Sequence, residues 1–302
     1  MPHSPLHATL LAWYASSARD LPWRRPDRDP WGVLVSEVML QQTPVDRVLP
    51  AWSAWLARWP EPAALAAEQP GEAVRMWGRL GYPRRALRLH AAAHDCVERF
   101  DGAVPSTYDD LRSLPGVGDY TAAAVLAFAH GARSIVLDTN VRRVLARLLD
   151  GAALPRPAVT TAERALAESV LPDDDATAAA WSVAVMELGA LVCTATSPSC
   201  DACPVASSCA WLAGGRPAYD GPARPVQRFA GTDRQVRGRL LAVLREASGP
   251  VPGSALEAVW DDAVQRERAL DSLVADGLVE PLVRHRYALP TARTAAASGP
   301  TG

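Results

Sequence analysis

Four of the chain's five cysteines fall within seventeen residues, in the spacing Cys193-x6-Cys200-x2-Cys203-x5-Cys209. A loop so dense in thiols must be organised around something, and no other local feature constrains the chain as much. No basic region followed by an apolar core marks a signal peptide at the N-terminus, so the expected compartment is the cytoplasm. Disulfides are disfavoured there. The remaining organiser is a metal centre. Zinc usually takes two C-x2-C pairs, whereas one C-x2-C flanked by gaps of six and five suits a larger 4Fe–4S cluster, with zinc as the alternative. Cys96, alone in a helical stretch, reads as a buried apolar residue.

The segment Leu114-Pro115-Gly116-Val117-Gly118 lies between two helical patterns. Ser106 offers an N-cap to the first, with Asp109 in its first turn, and Tyr120–Ala129 carries a continuous apolar face in the second. A Gly-Val-Gly turn at a helix N-terminus presents free backbone N–H groups and the positive end of a dipole, so an anion is its natural guest. Neither a phosphate loop ending in Gly-Lys nor a G-x-G-x-x-G after a strand is present. The plainer reading is an αα-hairpin whose glycines only make a tight turn.

At 302 residues the chain has room for two domains, and its 49% hydrophobic content excludes wholesale disorder. No apolar run approaches the roughly 18 residues of a membrane span. Helical patterns follow one another from His7 to about Leu191. Residues 213–231 form a Gly- and Pro-rich linker, 232–290 a second unit, and 291–302 a polar tail expected to be disordered. The net charge of −2 does not advertise a nucleic-acid binder, so any such surface must be local. Arginines do cluster, at Arg24 and Arg25, at Arg84, Arg85 and Arg88, and at Arg142, Arg143 and Arg147, each of which is otherwise a solvated helix face. All 31 basic side chains are arginine, so no side-chain amine exists to form a Schiff base.

Together, the "LPGVG" hairpin, an aspartate about twenty residues on in "VLDTNVRRVLAR" and the cysteine spacing resemble the endonuclease III superfamily of DNA glycosylases. Within it, "LPWR", "SEVMLQQTPV", "GRLGYPRRALRLH" and "MELGALVC" are similar to the A/G-mismatch adenine glycosylases of the MutY kind, over about residues 1–212. The resemblance implies a mainly α helix–hairpin–helix fold of two helical lobes with an iron–sulfur loop at 193–209. It also implies excision of adenine mispaired with 8-oxoguanine or guanine in double-stranded DNA, by a monomer acting at the nucleoid. The amides of Gly116, Val117 and Gly118 would then hold a DNA phosphate, a contact that sets register without reading sequence.

Cleaving an N-glycosidic bond leaves positive charge on the sugar and negative charge on the departing base, so two carboxyl groups are wanted. Asp138 stands between the strand-like "SIVL" and a helix starting near Val141, where the helix N-terminus favours the anion. Alone it reads as an N-cap; the resemblance assigns it the cation-stabilising or nucleophilic role. Glu37 lies among apolar neighbours, where burial raises a carboxyl pKa and suits it to donate a proton. By resemblance it protonates adenine at N7 and later helps activate water, with Tyr120 and Asn140 around the pair. Gln42 and Tyr82 would wedge into the base stack, with Thr43 and Leu80 nearby, while Trp23, Arg24 and Glu187 would supply the wall and polar contacts of the adenine pocket.

Tyr120 takes the place of the Schiff-base lysine of the bifunctional endonuclease III branch, which implies a monofunctional enzyme. Typical adenine glycosylases carry a C-terminal Nudix-like domain; here three helices and a hairpin, about 232–290, resemble a winged helix instead, with Arg266, Arg268, Arg284, His285 and Arg286 offering one face to phosphates. Two other readings stay open. One is a thymine or uracil mismatch glycosylase, against which Glu37 argues because protonation at N7 needs a purine. The other is a non-catalytic iron–sulfur DNA-binding protein, against which Glu37 and Asp138 together argue.

Overall fold

Prolines and short polar side chains set where the helices begin. The computed structural model describes residues 5–222 and 229–291, which form fifteen α-helices and three short strands. The helices α1 (Pro5–Ser17), α2 (Pro30–Leu40), α4 (Pro62–Ala66) and α5 (Pro70–Trp77) each open on a proline, whose missing N–H is no loss in a first turn. The helices α9 (Thr139–Leu145), α10 (Thr161–Ser169), α11 (Asp175–Leu191) and α15 (Ala263–Ala275) are capped instead. Asp138, Thr160, Asp174 and Asp262 accept there from Val141, Glu163, Thr177 and Gln265 N–H respectively.

The described residues divide into two compact units that do not follow chain order: 5–33, 106–108 and 119–222 in the first, 34–105, 109–118 and 229–291 in the second. In the first, α1, α9 and α11 enclose Leu10, Val144, Leu145, Trp181, Ala184 and Leu188. The helix α8 (Asp119–His130) contributes Ala123, Ala124 and Ala127 to a neighbouring cluster. In the second, α3 (Val45–Arg58), α5 and α6 (Arg84–Arg99) bury Trp55, Trp77 and Leu89, with Trp55 edge-on to Trp59 at 4.6 Å and to Trp77 at 5.7 Å.

The second unit also holds the C-terminal segment, ordered α13 (Asp233–Glu246), β1 (Val251–Pro252), α14 (Gly253–Glu257), α15, β2 (Glu280–Leu282) and β3 (Arg286–Ala288). Its antiparallel sheet runs β1-β3-β2. The expected three helices and hairpin are there; β1 is an addition, pairing Val251 with Tyr287, and at two residues is too short for any sequence pattern. Of the expected linker, residues 223–228 lie outside the described residues, as does the tail from 292 onward.

Two local expectations are corrected. The helix α7 (Tyr108–Ser113) starts two residues beyond Ser106, so Thr107 holds the flanking position. The strand-like Ser134–Leu137 is extended and partly buried but pairs with no strand among the described residues; its apolar side chains, Val136 and Leu137, serve the helical cores instead.

Candidate functional site

Asp138 is a cap and a candidate catalytic group at once. Its Oδ1 accepts from Val141 N–H at 2.6 Å and its Oδ2 from Asn140 Nδ2 at 2.8 Å. Burial pushes its carboxyl above the usual range, and the bonds from Val141 and Asn140 with the charge of Arg143 only partly offset this. The helix N-terminus does favour the anion through these backbone bonds, as expected, but burial outweighs it.

Asn140 is itself held: its Oδ1 accepts from Arg143 Nη2 at 2.8 Å. The same guanidinium, buried, donates to the carbonyls of Gly189 at 2.6 Å and Cys193 at 2.7 Å. A glycine is required opposite, since a Cβ at position 189 would lie 2.7 Å from Asn140 Cβ and 2.9 Å from its carbonyl oxygen. Arg143 thus joins the surroundings of Asp138 to the first cysteine of the loop.

Past α9 the chain widens into a π turn over Ala146–Asp150, which carries Arg147 against that loop. Arg147 Nη1 lies 3.4 Å from Cys193 Sγ and 2.7 Å from Thr194 O, with the guanidinium 4.6 Å from the Trp211 ring. Cys193, Cys203 and Cys209 pack against one core. Burial pushes the Cys203 thiol up, and charge on the other three cysteines, all within electrostatic reach of it, pushes it further. A donor set of sulfur alone, with a guanidinium beside it to offset thiolate charge, fits an iron–sulfur cluster.

Glu187 is 0% exposed and accepts four hydrogen bonds from two arginines. Arg19 binds it through its backbone N–H at 3.0 Å, Nε at 2.8 Å and Nη2 at 2.6 Å, and Arg24 Nη1 adds a bond of 2.7 Å. Burial alone would push this carboxyl up; the two guanidiniums hold it down to about 2. With no exposed surface, Glu187 meets a ligand only through the arginines that cover it. Trp23, beside Arg24, is 4% exposed. Tyr120 is half-buried on α8, against the cluster containing Ala123 and Ala124.

In the second unit, Glu37 lies within an unbroken buried run, residues 31–39, and is 5% exposed. The other expected residues gather on two loops and the hairpin. Gln42 and Tyr82 both have left-handed backbones, φ +53° and +47°, a conformation that non-glycine residues adopt only when their surroundings fix it. Arg85 supplies the fixing. Its Nη1 donates to the carbonyls of Val38, Met39 and Gln41 at 2.8, 3.0 and 2.7 Å, and its Nη2 to Thr43 Oγ1 at 3.0 Å and Gly81 O at 3.1 Å. Thr43 Oγ1 also donates to Leu80 O at 3.3 Å. Thr43 and Leu80 are buried, while Tyr82 is 44% exposed.

At the hairpin, Val117 N–H closes on Leu114 O at 3.1 Å and Arg112 Nη1 donates to Val117 O at 2.9 Å. Gly116, at φ +81°, has no room for a side chain, since a Cβ would meet Arg88 Cβ at 2.7 Å. At Gly118 a Cβ would meet open space, so nothing inside the chain demands this glycine.

The arginine clusters are corrected in part. Arg85, Arg143 and Arg147 are buried, and Arg142 is paired with Glu163 at 2.5 Å, both side chains nearly enclosed. These four are internal struts, whereas Arg25, Arg84 and Arg88 are exposed, as a solvated face requires. In the C-terminal segment Arg268, exposed, is bonded to Asp233 at 2.8 Å, and Arg266, half-buried, donates to Trp260 O at 2.5 Å. One signal was available for Arg85: residues 85, 89, 92 and 96 share a helix face, and the other three are Leu, Ala and Cys. Arg19 and Gly189 left none.

A family model described as HhH-GPD superfamily base excision DNA repair protein matches residues 35–170, and one for the iron–sulfur binding domain of endonuclease III matches residues 193–209. The chain is 54% identical over 281 residues to the adenine DNA glycosylase of Mycolicibacterium smegmatis, a match covering 93% of this chain and 94% of that one. It is 51% identical over 282 residues to the adenine DNA glycosylase of Mycobacterium tuberculosis, covering 93% and 92%. Among solved structures it is similar to a thermostable thymine-DNA glycosylase, with a TM-score of 0.62 and 26% identity over 69% of this chain and 95% of that one. A trapped endonuclease III–DNA intermediate, with a TM-score of 0.58 and 22% identity over 69% and 94%, shares the fold.

Proposed function

Since the chain belongs to the adenine DNA glycosylases of the endonuclease III superfamily, with that superfamily's iron–sulfur loop, we propose that it excises adenine mispaired with 8-oxoguanine or guanine in double-stranded DNA. It acts as a monomer and leaves the strand intact. The observation that carries the reading is the seating of Asp138, with one oxygen on Val141 N–H and the other on Asn140. A carboxylate so fixed stabilises charge that develops only as the glycosidic bond breaks.

In this reading Glu37 gives its proton to adenine N7 as the bond to the sugar breaks and its electrons leave with the base. Asp138 faces the resulting cation. Water then adds its hydroxyl to the sugar carbon, and its proton returns to Glu37, so the carboxyl is restored. Asn140 orients Asp138, and Tyr120 is assigned a supporting role in the same chemistry. The amides of Gly116, Val117 and Gly118 hold a phosphate, where the open space at Gly118 admits close approach. Trp23 and Arg24 form the base pocket, with Glu187 fixing Arg24 from behind, and Gln42 and Tyr82 fill the space the flipped adenine leaves. Cys193, Cys200, Cys203 and Cys209 hold a 4Fe–4S cluster, which orders their loop. No helix is long and apolar enough to cross a membrane among the described residues.

Base release from duplexes differing only in the mispair tests this. Adenine freed opposite 8-oxoguanine and guanine is the expected product. Thymine or uracil freed opposite guanine, with adenine untouched, would establish the other glycosylase reading.

A further inference from the structure

The ring of Tyr82 is flanked by two guanidiniums from different parts of the second unit. Arg85 stands 5.6 Å from its centroid and Arg234, near the start of α13, stands 5.5 Å away. Arg85 belongs to the buried strut already described; Arg234 is exposed and comes from the C-terminal segment. That segment is seated firmly on both flanks of the Tyr82 loop. On the α6 side, Asp276 accepts from Arg237 at 2.5 Å and pairs with Arg84 at 3.3 Å, two residues past Tyr82. On the α5 side, Arg75 donates to the carbonyls of Arg245 and, at 2.8 Å, Ala247, at the end of α13. Arg245 returns a bond to Val74 O at 2.9 Å, and Gly71 N–H donates to Pro290 O at 2.8 Å.

We propose that Arg234 is a positioning residue for Tyr82, through which the C-terminal segment sets how well the enzyme separates 8-oxoguanine from guanine opposite adenine. The inference rests on the reading of Tyr82 as the wedge. An aromatic ring that must enter a base stack is nearly half exposed here, on a left-handed backbone. Without a partner on its outer side it would sample several rotamers, and ordering it would fall to the DNA at the moment of binding. A cation over the ring face fixes it beforehand. The seat formed by Asp276, Arg75 and Gly71 fixes the cation in turn.

The test uses the full-length protein. Arg234→Ala should lower the ratio of adenine release opposite 8-oxoguanine to that opposite guanine by about two- to fivefold, the range of an exposed cation–ring contact. Arg234→Lys should restore most of the ratio, and Arg234→Gln should not. In a Tyr82→Ala background, Arg234→Ala should have no further effect. A ratio unchanged in Arg234→Ala, or lowered equally in both backgrounds, overturns the proposal, the second outcome meaning that Arg234 acts on DNA by itself. A second arm needs no catalysis: in an Asp138→Asn carrier, 2-aminopurine beside the base opposite adenine should unstack less when Arg234 is alanine. If the wild type frees no adenine, the functional reading falls, and this fluorescence arm alone decides whether Arg234 orders Tyr82.

Discussion

Asn140 accepts a hydrogen bond from Arg143 at 2.8 Å while donating one to Asp138 at 2.8 Å, so a single amide joins the candidate catalytic carboxylate to a guanidinium that also grips Cys193. Arg143 has four acceptors in fixed directions, the fourth being Thr139 O at 3.4 Å, and one ammonium group cannot reach them all. Arg143→Lys should therefore lower base release by about tenfold or more, and Arg143→Ala should also lower iron content per chain. Iron analysis beside single-turnover rates checks this; full activity and full iron in Arg143→Ala would show that the link carries nothing.

The carboxyl pair gives the sharpest chemical prediction. Asp138→Asn and Glu37→Gln should each slow base release by at least about a hundredfold, with duplex binding largely kept, because both groups act mainly in the transition state. Binding titrations and single-turnover assays on one preparation separate the two effects.

Much of this was legible in the sequence because the signals are local. The cysteine spacing, the Gly-Val-Gly turn, the cap at Asp138 and most helix starts depend on residues within one or two turns of each other. What stayed hidden depends on pairing across the chain. Arg19 meets Glu187 across 168 positions, and Arg85 meets Val38 across 47. Composition shows such arginines only as charge, and charge suggests a surface. The raised carboxyl of Asp138 was hidden for the same reason, since desolvation is set by what packs over a residue.

Acid should reveal Asp138. Its folded carboxyl is raised, so any stability it contributes is present below the unfolded value near 3.9 and lost as pH rises through the folded one. At neutral pH the anion is held against that preference. Asp138→Asn should consequently match or exceed the wild-type Tm at pH 7 while being inactive. The acid limb of the wild-type rate should lie above pH 4, the usual aspartate range, and Asn140→Ala, which removes a donor, should move it higher.

Glu187 runs the other way. Its carboxyl is held at about 2, so its contribution is full above the unfolded value and lost as pH falls through about 2. Glu187→Gln strands two arginines and should cost about 3–5 kcal/mol at pH 7. The difference from wild type should narrow below pH 4, near the unfolded glutamate value. Denaturant titrations across that range measure it.

Borohydride should trap no covalent enzyme–DNA adduct in useful yield, since the chain has no lysine. Blocking the N-terminal amine removes the one group able to mimic it. Efficient trapping after that block would show a lyase.

The seat of Pro290 on Gly71 also bears on how the protein is made. A Cβ at position 71 would lie 2.7 Å from Pro290 O and 2.9 Å from Leu289 Cβ, so this face of α5 is shaped to receive the last described turn of the chain. The two partners are 219 positions apart. At ribosomal speeds of about 5–20 residues per second, the face of α5 waits roughly ten to forty seconds for its cover. A nascent chain stalled or cut short before Leu289 would leave that face of α5 without its cover.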